Sequence, residues 1–322
     1  MNRRRFISLA LGASSLLGWA GIPLKRLERV ERKSWALGAD VSLIVYHENR
    51  SIAEHAVSSA FEALNEVENV FSLYRPQSQL SCLNRAGVLA QPHQDLVKLL
   101  RSALAWSRRT DGAFDPTVQP LWKLHSHGGV PDPDRLQVAR QLVDWRKVEV
   151  DADLLRLGPG QEITLNGIAQ GFAADRVREV LKAHGIRYAL ANTGEFGAIS
   201  HKPAGESWRI GIQHPRAPEA YVALAALNDR FLATSGDYET KFGEDFSSNH
   251  IFDPATGRSP TTLSSVTVIA TTGLEADALS TSIFVLGPDR GLEIATARHG
   301  VEALMVLKNG DLVSTLNFPR CA

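Results

Sequence analysis

Segments that read as strands do not alternate one for one with segments that read as helices, and this order constrains the fold more than any other feature of the chain. Residues 35–47 end in a β-branched run and predict one strand. Val57, Ala60, Phe61, Leu64, Val67 and Phe71 then recur at helical spacing across residues 51–73, with Glu54, Glu62, Glu66 and Glu68 mostly outside the stripe. A turn at Arg75-Pro76-Gln77-Ser78 ends this segment. Residues 95–109 predict a second helix, and Asp132-Pro133-Asp134 opens a third that runs to about Val143. Two short strand-like segments, 147–150 and 154–157, precede a helix from Ile168 to His184 that Gly185 closes. Strands are expected at 187–192, 208–213 and 220–226, a loop at 235–250, and a strand at 265–271. Helices at 275–285 and 288–298 and strands at 302–307 and 311–315 complete the chain. A parallel sheet would need a crossover between successive strands, so the pattern predicts an α+β fold with largely antiparallel sheets and packed helices. No Gly-x-Gly-x-x-Gly follows a strand and no Walker loop occurs, which argues against the common nucleotide-binding α/β folds.

The 322 residues carry a formal net charge of zero and are 44% hydrophobic. That composition predicts a large core and no nucleic-acid surface or polybasic membrane anchor. Cys82 and Cys321 fit no metal-knuckle or Cys-x-x-Cys spacing, and the sequence leaves open whether they pair. Residues 1–20 read as an address. Arg3-Arg4-Arg5-Phe6 is followed by an uncharged run from Ile7 to Ala20, shorter than the roughly 20 residues that span a bilayer. Paired arginines before a short apolar stretch predict a twin-arginine export signal, with an ordinary secretory signal or an uncleaved anchor as the alternatives. No cysteine stands near Ala20, so no lipid attachment is expected there. Residues 21–322 would then form one periplasmic domain.

Five constellations could carry chemistry. Asp277 and Thr281, four apart, share one helix face and offer a carboxylate and a hydroxyl to a hard cation; the same Asp also suits a helix start. Thr164-Leu165-Asn166-Gly167-Ile168-Ala169-Gln170-Gly171 runs into a helix, where small residues and unpaired N–H groups suit a phosphate, or simply make a strand-to-helix turn. In Gly112-Ala113-Phe114-Asp115-Pro116, the proline forces Asp115 out of the helical region, where its carboxylate could meet sugar hydroxyls or a ring N–H. His250, beside the 235–250 loop, is a general-base candidate because histidine titrates near neutrality, though a lone histidine serves structure as readily. Tyr74, in Phe71-Ser72-Leu73-Tyr74 ahead of Ser78, Ser81 and Asn84, could stack on a planar ring or sit in the core.

Taken in order, FSLYRPQSQLSCLN, GAFDPTVQPL, LNGIAQGFAADRV, ANTGE, WRIGIQHPR, TSGDYE, HIFDPATG and ADALSTSIFVLG resemble the ApbE family of FAD:protein FMN transferases, over about residues 35–287. The resemblance implies an ApbE-like fold with FAD and Mg²⁺ in a central cleft. It implies transfer of FMN from FAD through a phosphoester bond to a threonine or serine hydroxyl of a target protein, with release of AMP. By position, Asp277, Thr281 and the Gly167 carbonyl match the metal ligands. Leu37, Tyr74, Ala113, Phe114, Asp115, Thr164, Gln170 and Ile251 fall at flavin-nucleotide positions, and His250 matches the residue suspected of activating the acceptor hydroxyl. Three positions depart: family members usually have Met at Leu37, many have Asp at Thr164, and many have Lys or Glu at Gln170. The first is nearly volume-conserving; the other two remove charge that would bear on FAD binding. An FAD pyrophosphatase and a non-catalytic periplasmic flavin carrier are the competing expectations. The expected partner is a flavoprotein of a membrane electron-transfer complex, and one such branch serves nitrous oxide reductase maturation.

Overall fold

The computed structural model describes residues 27–128, 131–243 and 245–321; the export signal expected over residues 1–20 lies outside them. The chain opens with a hairpin, β1 (Glu28–Ala36) and β2 (Ala39–His47), rather than the single strand expected over 35–47. Leu37 and Gly38 both have positive φ, 55° and 72°, and Ala36 pairs with Ala39. This is the two-residue turn that suits strand twist. Leu at its first position carries no turn signal, which is why the sequence reads as continuous strand.

The long helix α1 (Arg50–Phe71) starts on Asn49, whose side chain accepts from the N–H groups of Ser51 and Ile52. The short helix α2 (Gln79–Ala86) is capped by Ser78 and closed by Gly87 at φ 71°. The strand β3 (Val88–Ala90), α3 (Gln94–Arg109), α4 (Gln119–His125), α5 (Pro133–Gln141), β4 (Glu149–Val150) and β5 (Leu154–Arg156) follow. Next come α6 (Ala169–Ala183), β6 (Tyr188–Asn192), β7 (Phe196–Ile199), β8 (Trp208–His214), β9 (Ala217–Leu227) and β10 (Phe231–Gly236). The chain ends with β11 (Leu263–Ala270), α7 (Gly273–Leu286), α8 (Pro288–Thr296), β12 (Glu302–Leu307) and β13 (Leu312–Ser314). Sequence pattern alone does not indicate α2, α4, β7 or β10. Each is too short for its periodicity to stand out, and β10 extends into the segment expected as loop.

Every strand pairing is antiparallel, as expected. The main sheet has the order β1-β2-β6-β7-β10-β11-β12-β13, with small sheets β3-β5-β4 and β8-β9 beside it. Alternation along the strands divides the core in two. Ala189, Ala191, Phe231, Ala233, Val266, Val268, Ala303 and Met305 face a core shared with α1, α3, α6 and α7. Their neighbours Leu190, Leu232, Ile269 and Leu304 face the opposite side, which the β8–β9 hairpin covers with Trp208, Ile210, Ile212, Ala225 and Leu227. Both sides of the central strands are therefore buried, and the helical side carries the site.

Candidate active site at the crossing of two helices

Helices α6 and α7 cross near their first turns with almost no space between them. A Cβ on Gly171 would lie 2.1 Å from the carbonyl oxygen of Gly273, and one on Gly273 would lie 2.3 Å from that of Gly171. Such an approach is open only to glycine. The two helices also exchange caps. Helix α6 has no side-chain cap of its own; the Asp277 carboxylate of α7 accepts from the Gly171 N–H at 2.8 Å. In return Asp175 of α6 accepts from the Gly273 and Leu274 N–H groups at 2.8 and 2.9 Å. These bonds satisfy donors that a helix start otherwise leaves orphaned.

Asp277 is almost fully buried. Burial pushes its carboxyl up to about 7, with the Gly171 and Gln170 N–H groups pulling the other way and no basic side chain contributing. A buried carboxylate normally has a cation beside it. One turn on, Thr281 packs against Gly167: a Cβ there would lie 2.9 Å from the Thr281 Oγ1 and 3.3 Å from the Phe114 ring. The Thr281 hydroxyl is also 3.2 Å from that of Ser235, which is 2.8 Å from Ser280. Ser235, at the end of β10, is a site neighbour that sequence reasoning misses. A serine in a strand carries no local signal, and only the packing of β10 on α7 brings it here. Among the described residues no group of three or more His, Cys, Asp or Glu is arranged as a metal centre. The carboxylate of Asp277 and the hydroxyl of Thr281, with Gly167 packed against that hydroxyl, are oxygen donors of the kind a hard divalent cation takes.

The other predicted residues are tied to this crossing in order. Asn84 of α2 clamps Ile163 by two 2.8 Å bonds, donating to its carbonyl and accepting from its N–H. Thr164 donates its N–H to the Pro116 carbonyl at 2.7 Å, which draws the 112–118 loop under Gly167. Within that loop Asp115 is held by Thr117, through N–H at 2.8 Å and hydroxyl at 2.6 Å, and by the Trp145 N–H at 3.2 Å. Burial raises its pKa to about 6 against these bonds. Both its oxygens thus organise the loop, which turns Phe114 into the core and leaves Ala113 half-buried. Gln170 lies against the turn at Gly194, where φ is 98°.

Leu37 and Tyr74 stand on a second rim. Leu37 donates its N–H to Glu68 at 2.7 Å, and the Tyr74 side chain is 76% exposed. His250 and Ile251 belong to a third segment. Ile251 is buried, and the His250 N–H and Nδ1 lie 3.0 and 3.3 Å from the Thr240 carbonyl oxygen. This segment is anchored from below by fully buried Asp237, which accepts a two-pronged bond from Arg216 at 2.7 Å and a further bond from Lys308. Lys308 in turn donates to the Phe246 carbonyl. A cavity of about 560 Å³ opens between residues 253–262 and the start of α8. It touches the His250 segment at Asp253 and Thr256 and none of Gly167, Asp277 or Thr281.

The model of the ApbE family matches residues 37–305. An FAD:protein FMN transferase of Klebsiella pneumoniae (strain 342) is 31% identical over 292 residues, 86% of this chain and 89% of that protein. One of Haemophilus influenzae is 32% identical over 273 residues, 78% of each. The crystal structure of an ApbE protein from Thermotoga maritima superposes with a TM-score of 0.81 at 30% identity, covering 90% of this chain and 97% of that one. The apo form of the flavinyl transferase ApbE from Pseudomonas stutzeri gives 0.79 at 29%, covering 91% and 96%.

Proposed function

The chain belongs to the ApbE family, and from that premise we propose that it is an FAD:protein FMN transferase whose reaction takes place over the α6–α7 crossing. The observation that carries the assignment of the site is the buried Asp277 carboxylate, with the Thr281 hydroxyl one turn along α7, Gly167 packed against that hydroxyl, and no ion pair to Asp277 among the described residues. Asp277, Thr281 and the Gly167 carbonyl would hold Mg²⁺. When bound, that ion supplies charge neutralisation on the phosphates and stabilises AMP as the leaving group.

The chain's own residues do the rest. The first N–H groups of α6 are already taken, those of Gln170 and Gly171 by the Asp277 carboxylate and that of Ala169 by the Leu165 carbonyl, so the phosphate cradle expected at this helix start is not formed by them. Ala113, Thr164 and Gln170 would border the phosphates and Leu37 and Tyr74 the flavin, while Phe114, Asp115 and Ile251, which are buried, would support that lining from behind. His250 takes the proton from the acceptor hydroxyl as it attacks the FMN phosphorus. An Nδ1–H directed at the Thr240 carbonyl leaves Nε2 as the basic nitrogen. The acceptor is a threonine or serine of a flavoprotein of a membrane electron-transfer complex. Export by the twin-arginine route to the periplasm belongs to the same proposal; it rests on residues 1–20, and cell fractionation after replacing Arg3 and Arg4 by Lys tests it.

One assay tests the reading. The protein is incubated with FAD, Mg²⁺ and a candidate acceptor domain, and AMP release and in-gel flavin fluorescence are followed. A fluorescent acceptor supports transfer. AMP without labelling would make the protein a pyrophosphatase, and neither signal would leave it a carrier.

A further inference from the structure

We infer that Glu68 is a positioning residue for the flavin, holding the turn that carries Leu37 and the loop that carries Tyr74 at a fixed separation. The inference rests on the transferase reading, which makes those two residues flavin contacts. Glu68 uses both carboxylate oxygens across segments far apart in the chain. Oε1 accepts from the Leu37 N–H in the β1–β2 turn at 2.7 Å, and Oε2 accepts from the Arg75 guanidinium, the residue after Tyr74. Arg75 also donates to Asn65 at 3.0 Å, and the N–H groups of Tyr74 and Arg75 both reach the Ser72 hydroxyl, at 3.1 and 3.2 Å. The loop that displays Tyr74 is therefore fixed to α1, and Glu68 fixes the hairpin turn to both.

Two features show that these bonds do not serve local stability. Glu68 lies in the last turn of α1, which contains no basic residue, and a carboxylate there opposes the helix dipole. Leu37 adopts φ 55°, a conformation that a leucine resists and that persists only where the surroundings impose it. The two-residue turn between Ala36 and Ala39 requires it, and the Glu68 carboxylate at the Leu37 N–H ties that turn to α1. The outcome is a half-buried Leu37 and a 76% exposed Tyr74, two apolar surfaces bridged by one carboxylate.

The test is FAD titration of the full chain by flavin fluorescence quenching, together with kcat and KM from AMP release and a melting curve. Replacing Glu68 by Ala is expected to weaken FAD binding and raise KM about tenfold, about threefold for each of the two hydrogen bonds removed, with kcat within about twofold. Glu68→Gln keeps an acceptor for the Leu37 N–H and is expected to recover most of the affinity, which a merely space-filling role would not distinguish. Where Glu68→Ala fails to fold, Arg75→Ala decides, with an expected loss of about threefold because only one of the two bonds goes. Unchanged affinity in Glu68→Ala, or in Arg75→Ala where that variant decides, overturns the inference and leaves the transferase reading standing. Absence of quenching by the unsubstituted chain overturns both.

Discussion

Replacing Gly171 by Ala puts a methyl group into the helix crossing that holds the site together. The added Cβ would stand 2.1 Å from the Gly273 oxygen, 2.5 Å from its carbonyl carbon and 2.7 Å from the Asp277 Cβ. Real Cβ contacts stay beyond 3.0 Å, so the two backbones must part by about 0.9 Å. Overpacking of this kind costs about 1–3 kcal/mol. The same movement stretches the 2.8 Å bond from the Gly171 N–H to Asp277, and bonds to charged groups contribute about 1.5–3 kcal/mol. Alanine returns about 1 kcal/mol in helix propensity. The net loss is about 3 kcal/mol, or a melting temperature lower by about 4–5 °C for a chain of this size. Urea unfolding should show the midpoint falling at an unchanged slope. Metal-dependent AMP release should fall further than stability does, because Asp277 moves with α7. If the variant were as stable as the original, or gained the propensity term, the tight crossing and the argument built on it would be wrong.

Three further outcomes follow from the same geometry. His250→Ala should slow transfer to an acceptor by about 10²–10⁴-fold with FAD affinity unchanged, as stopped-time in-gel fluorescence and a binding titration would show; an intact rate removes His250 as the base. Mg²⁺ at a hundredfold excess over its dissociation constant should stabilise the unsubstituted chain by about 2.7 kcal/mol in a melting experiment and Asp277→Asn not at all; equal shifts would place the ion elsewhere. Asp115 has its carboxyl pushed up to about 6 by burial, from 3.8, so the folded chain keeps a proton that the unfolded chain has lost. That contribution is complete below pH 3.8 and fades as pH rises through 6, so the original chain should lose melting temperature relative to Asp115→Asn over this window; a constant difference would contradict the burial argument.

Much of this site is legible in the order of residues, because its parts are local. The apolar stripe from Val57 to Phe71 fixes α1, and Gly185 marks the end of α6, which departs by only a residue or two from the expected span. Asp277 and Thr281, four apart, have to share a helix face, whereas the small residues ahead of α6 do not leave its first N–H groups open, because Asp277 takes them from across the fold. Less legible are features whose cause lies elsewhere in the chain. Leu37-Gly38 resembles strand, since the turn there is held in part by Glu68, 31 residues away. Ser235 and the short helix α2 have no periodicity to announce them.

The sequence by itself determined the longer helices and most of the strands, and which side chains are candidates for a metal and nucleotide site, because capping, periodicity and i, i+4 spacing act within one or two turns. The tertiary structure alone decided that Asp277 would cap a helix beginning about a hundred residues earlier, that Asp175 would return the cap, and that Gly171 and Gly273 would touch. Those contacts depend on how two helices lie across one sheet. That packing is set by the summed burial of a core assembled from residues throughout the chain, and no single segment encodes it.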